Sequence, residues 1–175
     1  KKRMGKLDAV CISGGEPTVQ GDLEEFIGGI KGLGYSLKLD TNGSRPQVLA
    51  RLLEKNLLDY VAIDLKSSPR RYLAATGNRL DFETVAEAVA IVKDSGVSYE
   101  LRTTAVPGLV ELEDLKIIAQ RFEPIERYAL QQFRPGKTLE PDFGKVRPHQ
   151  KAWFCEAKEI FEGKAEEILV RGVDL

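Results

Sequence analysis

The run Asp8-Ala9-Val10-Cys11-Ile12-Ser13-Gly14-Gly15-Glu16-Pro17-Thr18 ends an apolar segment abruptly on two glycines, a carboxylate and a proline. Two glycines leave main-chain N–H and C=O groups uncovered, so a ligand can approach the backbone. Glu16 sets a negative acceptor beside that gap, and Pro17 stiffens the exit. Such an end suits a ligand that carries an ammonium and a carboxylate, as an amino acid does. Polar residues also stand where other apolar runs stop. These are Asp40-Thr41-Asn42-Gly43, then Asp64 with Lys66, then Arg102 and Thr104 ahead of Val106-Pro107-Gly108, then Gln131 and Gln132 ahead of Phe133-Arg134-Pro135-Gly136. Taken singly, Asp40 to Gly43 suits a turn as well as a site. Asp64 and Lys66 suit an ion pair on one strand face. Arg102 lies inside an apolar run, where an unpaired charge is costly. Its anionic partner is expected among Glu16, Asp40, Asp64 and a ligand carboxylate. The coincidence of polar groups at five successive ends is stronger evidence than any single motif.

These ends need elements to position them. Apolar runs predict strands over Asp8–Ile12, Ser36–Leu39, Tyr60–Leu65, Ser98–Thr104, Arg127–Gln132 and Ile168–Arg171. Most read as apolar on both faces, as strands covered on both sides do. Helical spacing predicts helices after Asp22, after Pro46, over Phe82–Ser95 with Asp81 as N-cap, over Leu112–Phe122 and over Gln150–Phe161, with a weaker one over Pro69–Thr76. Strand and helix alternating in this way predict βαβ units and a parallel sheet. In such folds ligand groups sit at the carboxyl ends of the strands. An eight-fold barrel takes about 250 residues, more than the 175 here. The expected class is therefore α/β, an open partial (β/α) barrel in one domain over residues 1–175, with a doubly wound open sheet as the alternative.

Bulk properties exclude other classes. The net charge is −1, with 42% hydrophobic residues, so a real core is expected and no basic field points to nucleic acid. The Lys1-Lys2-Arg3 cluster reads as a solvated helix end. No apolar run of spanning length and no signal pattern occurs, so no membrane association and a cytoplasmic location are expected. The two cysteines, Cys11 and Cys155, are not expected to pair. Cys11 reads as a small hydrophobe in a strand. No close cysteine spacing suggests a zinc or iron–sulfur site within these residues. His149 reads as a helix-start residue. The opening on Lys1 rather than methionine reads as the loss of a preceding segment.

Together these residues resemble the radical S-adenosylmethionine (SAM) superfamily, and more narrowly the activating enzymes of glycyl-radical enzymes. The resemblance extends over essentially the whole chain. Gly14-Gly15-Glu16-Pro17 is similar to the family's GGEP motif, which holds the methionine amino group of SAM. Asp40-Thr41-Asn42-Gly43 and Asp64-Leu65-Lys66 are similar to the DTNG and DLK segments of pyruvate formate-lyase activases. The resemblance implies that Asn42 and Lys66 face the ribose and carboxylate side of SAM. It implies that Asp40, Thr41 and Asp64 help to hold a monovalent cation. Arg102 and Thr104, on the segment from Arg102 to Gly108, would line the methionine and ribose. Gln131-Gln132-Phe133-Arg134-Pro135 is similar to the activating proteins of anaerobic ribonucleoside-triphosphate reductases, where those activases usually carry a histidine. Gln132 and Phe133 would then belong to the cofactor site, with Phe133 packed on adenine.

The resemblance further implies a partial (β/α)6-type radical SAM barrel without its N-terminal βα unit. It implies a [4Fe–4S] cluster held by a CxxxCxxC loop that these residues do not contain, so that this chain by itself would not form the radical. The implied partners are a glycyl-radical enzyme, anaerobic ribonucleotide reductase by preference, and a flavodoxin- or ferredoxin-type electron donor. Two other readings stand beside this one. A SAM- or partner-binding module without a cluster shares the same rim. A barrel enzyme using Lys66 as a Schiff-base amine or Asp64 as a base leaves the GGEP run unexplained.

Overall fold

The computed structural model describes residues 7–136 and 141–175. The Lys1-Lys2-Arg3 cluster lies outside them. The elements alternate as predicted: β1 (Ala9–Ile12), α1 (Leu23–Lys31), β2 (Ser36–Thr41), α2 (Pro46–Glu54), β3 (Tyr60–Asp64), α3 (Tyr72–Ala75), α4 (Phe82–Ser95), β4 (Ser98–Ala105), α5 (Leu112–Phe122), β5 (Ile125–Gln132), α6 (Lys151–Glu159) and β6 (Ala165–Arg171). The strands follow one another in the sheet in the order β1-β2-β3-β4-β5-β6. That sequential order is what repeated βαβ crossovers produce. The chain divides into two compact units.

The first unit runs to Asp64 and takes in Glu83–Tyr99. β1 pairs in parallel with β2, and β2 with β3. Pro46 opens α2, where its missing N–H costs nothing. Ile27, Leu37, Leu39, Leu49, Leu52, Val61, Ile63, Val85 and Val89 are buried. Burying each such side chain stabilises by about 2 kcal/mol. β1 departs from the expectation of cover on both faces, because its residues alternate between exposed and half-buried. Cys11 is exposed rather than packed as a core hydrophobe. The reason is position: β1 is the first strand of the sheet and pairs with β2.

The second unit comprises Leu65–Phe82 and Glu100–Leu175. β4 pairs in parallel with β5, and β5 with β6. Its core contains Leu101, Tyr128, Leu130, Phe154 and Phe161. The Tyr128 and Phe161 rings stack with centroids 3.7 Å apart. Burial pushes the Tyr128 phenol pKa well above its ordinary value, and the hydrogen bond with Thr103 (2.6 Å) opposes that shift. β5 and β6 begin earlier than predicted, at Ile125 and Ala165. Charged residues broke the apolar run there; Arg127 and Glu167 stand in register on neighbouring strands and form a 2.6 Å ion pair.

Candidate SAM-binding site

Glu16 is the hub of the first unit's candidate residues. It caps a short 3₁₀ turn, Pro17–Val19. Its Oε1 accepts from Thr18 N (3.1 Å), Thr18 Oγ1 (2.5 Å) and Thr41 Oγ1 (2.7 Å). Its Oε2 accepts from Asn42 N (2.6 Å). One carboxylate thus ties the loop after β1 to the end of β2. All four donors are neutral, so they stabilise the negative charge without cancelling it. Thr18, 4% exposed, was not singled out in the sequence. Its position two residues after a carboxylate, at the start of a turn, is the capping signal that could have found it.

Gly14 and Gly15 have φ of +101° and +56°, and among the described residues, chain neighbours aside, no atom lies within 4 Å of where a Cβ would stand at either. Glycine is needed there for its backbone angle, and the main chain is open to a ligand. A cavity of about 280 Å³ opens beside Gly14, lined among others by Ile12, Ser13, Pro17, Leu23 and Phe26. A larger cleft of about 420 Å³, bounded by Phe26 and Ile30 of α1 and by Leu33 just after it, holds none of the candidate residues.

The Asp40–Gly43 segment is both turn and site element. Asn42 Oδ1 accepts from Ser44 N at 2.9 Å, closing a local turn. The Asn42 backbone N–H is spent on Glu16, and what remains for a ligand is the side-chain NH₂. Gly43 has φ +73°, and an added Cβ would stand 3.1 Å from Val85 Cγ1 and 3.3 Å from Ala88 Cβ of α4. This glycine lets the segment lie directly on the helix. Thr41 is 3% exposed; its hydroxyl donates to Glu16 and accepts from Gly43 N. Asp40 Oδ1 lies 3.5 Å from Lys38 Nζ. Among the described residues no group of three or more His, Cys, Asp or Glu is placed to hold a metal ion.

In the second unit, the register sorts the predicted residues by face. Arg102 pairs with Ala129, Thr104 with Gln131, and Gln131 with Arg171. Paired residues on parallel strands share a face, so Thr104, Gln131 and Arg171 form a row. Glu100 and Arg102 lie on the same face of β4. Leu101 and Thr103 lie on the other, with Tyr128 and Leu130 of β5. Gln132 follows Gln131 and so turns away from the row. Its Nε2 donates to His149 O (3.0 Å), and its Cβ lies 3.1 Å from where a Cβ on Gly172 would stand. His149 precedes α6, stacks on Trp153 at 4.0 Å and reaches Val110 O through Nε2 at 3.2 Å. Phe133 is 7% exposed.

Glu100 was missed in the sequence, although it is 1% exposed. Arg171 Nη2 stands 2.6 Å and Arg102 Nη1 4.0 Å from its carboxylate. Among Arg102's anionic neighbours is therefore this strand residue two positions earlier, a spacing that strand periodicity makes visible. Lys66 follows Leu65, whose N–H donates to Arg102 O at 2.7 Å.

The profile of the Radical SAM superfamily matches residues 1–121. The chain belongs to the radical SAM superfamily. A protein of Methanocaldococcus jannaschii named as a glycyl-radical enzyme activating enzyme is 33% identical over 172 residues, spanning 95% of this chain and 72% of that protein. A second protein of that organism, named likewise, is 32% identical over 118 residues, 66% of this chain and 45% of its own length. A Thermococcus kodakarensis protein named as a GTP 3',8-cyclase is 44% identical over 113 residues, 61% of this chain and 34% of that protein.

Among solved structures, a domain of pyruvate-formate lyase-activating enzyme from Bacteroides vulgatus superposes with a TM-score of 0.73 at 17% identity, covering 92% of this chain and 99% of that one. Streptococcus suis SuiB bound to S-adenosylmethionine gives 0.70 at 13% identity, covering 94% and 39%. The fold is thus the partial (β/α) barrel of radical SAM proteins. No helix among the described residues is long and apolar enough to cross a membrane.

The residues present fit the amino-acid end of SAM: an anionic carboxylate held by neutral donors stands beside open glycine backbone. They do not fit a three-thiolate cluster, since the 175 residues contain two cysteines.

Proposed function

We propose that this chain binds SAM for a glycyl-radical enzyme activase, and that its 175 residues form one radical SAM core domain. The observation that carries the reading is the Glu16 hub, which gives the GGEP and DTNG segments one shared anionic anchor. The likeness over 95% of this chain, and 72% of a protein named for glycyl-radical enzyme activation, supports it. Gly14 and Gly15 offer main-chain groups to the methionine ammonium, and Glu16 supplies the counter-charge. Pro17 fixes the entry to the turn behind them. Asn42, Lys66, Arg102 and Thr104 bind the ribose and carboxylate. Bound SAM, on taking up one electron from an electron donor and releasing methionine, would supply the 5′-deoxyadenosyl group for hydrogen-atom abstraction from a backbone glycine of the partner.

For the partner we favour an anaerobic ribonucleotide reductase, on the Gln131-to-Pro135 segment, with a flavodoxin- or ferredoxin-type donor supplying electrons. The test uses the full-length protein, reconstituted anaerobically with iron and sulfide, reduced and given SAM. 5′-Deoxyadenosine is expected, and its absence with a cluster present overturns the reading. Adding an anaerobic ribonucleotide reductase or pyruvate formate-lyase and recording the glycyl radical by electron paramagnetic resonance decides the partner.

A further inference from the structure

Lys66 sits on an irregular stretch between β3 and α3, yet its neighbours are fixed. Leu65, Ser67 and Ser68 are fully buried. Leu65 N bonds Arg102 O, and Ser67 Oγ donates to Leu109 O at 2.5 Å. Ser68 Oγ donates to Asp114 Oδ1, and Arg71 Nη1 to Asp114 Oδ2 at 2.8 Å. Asp114, 4% exposed, also accepts from Glu111 N at 3.0 Å as part of the capping box that opens α5. Three donors and the positive end of a helix thus meet this carboxylate at that depth. A helix cap needs only the Glu111 contact. Ser68 and Arg71 come from 46 and 43 residues away in sequence, from the stretch that carries Lys66.

We infer that Asp114 is a positioning residue for SAM binding, acting through Lys66. Its carboxylate anchors Ser68 and Arg71, which with the Leu65 and Ser67 bonds fixes the backbone from which Lys66 projects. A pre-set backbone lowers the cost of ordering the site when the ligand binds. The inference rests on the proposed role of Lys66 in holding SAM.

The experiment is equilibrium dialysis of radiolabelled SAM against the full-length protein and four variants: Lys66→Met, Asp114→Asn, Ser68→Ala and the Lys66→Met/Asp114→Asn double. Asp114→Asn is expected to weaken binding about tenfold in the wild-type background and to add nothing once Lys66 is gone, the non-additivity of residues acting as one unit. Ser68→Ala leaves the α5 cap intact and is expected to weaken binding in the same direction, which a purely capping Asp114 would not produce. Equal losses from Asp114→Asn in both backgrounds, or an inert Ser68→Ala, overturn the inference while leaving Lys66 a SAM ligand. An unchanged affinity in Lys66→Met overturns the role of Lys66 and this inference with it.

Discussion

Glu16 in the first unit and Glu100 in the second are both carboxylates at the sheet, stabilised in opposite ways. Glu16 is surrounded by two hydroxyls and two backbone N–H groups. Glu100 is met by the guanidinium of Arg171 at 2.6 Å and faces that of Arg102 at 4.0 Å. Neutral donors leave a net negative charge in place; a guanidinium cancels it. The first arrangement therefore keeps an attraction for a ligand cation, and the second stabilises a buried strand residue. A carboxylate's ligand potential is thus set by the charge of its donors rather than by its burial.

Removing a cation should do the greatest damage. Arg171→Leu takes the guanidinium from a carboxylate that is 1% exposed. We expect a loss of about 3 kcal/mol in urea-induced unfolding, since Arg102, 4.0 Å from the carboxylate, offsets only part of the lost contact. Glu16→Gln keeps shape and removes charge, and its NH₂ cannot accept from Asn42 N or from the threonines. We expect about 2 kcal/mol of lost stability, with SAM binding reduced at least about a hundredfold in the dialysis assay. If Glu16→Gln costs stability but no affinity, the Glu16 charge does not attract the ligand.

A neutral control sharpens the scale. Tyr128→Phe leaves the buried Thr103 hydroxyl without its partner at 2.6 Å and should cost about 1 kcal/mol in thermal unfolding, with SAM affinity unchanged.

The smallest effect belongs to a third carboxylate, Asp59, 43% exposed and paired with Lys31. Its partial burial pushes the pKa up, but the Lys31 ammonium and the Leu37 N–H outweigh this and hold it below the usual value. A lowered folded-state pKa gives stability that is present above the unfolded value, about 3.9, and lost as pH falls through the folded one. Asp59→Asn should cost about 0.5 kcal/mol at pH 7, and the gap from wild type should close on acidification below that range.

The architecture was readable because short apolar runs alternate with helical spacing and because glycines and prolines mark the ends. Four of the features that escaped have separate causes. The exposure of Cys11 depends on the place of β1 in the sheet, which an apolar tetrapeptide does not encode. The starts of β5 and β6 are hidden by charges that pair between strands. Gln131 and Gln132 differ only in parity, and parity is settled by the register with β4. Glu100 was missed because its nearer cation, Arg171, lies 71 residues away in sequence. By contrast, the GGEP and DTNG segments met as expected, since both close their strands at the same end.

Cys11 on β1 and Cys155 on α6 are both exposed, and each stands in a different compact unit. The protein therefore carries its own pair of attachment points for fluorophores or spin labels. A label on each would report whether added SAM changes the surroundings of β1, of α6, or of neither.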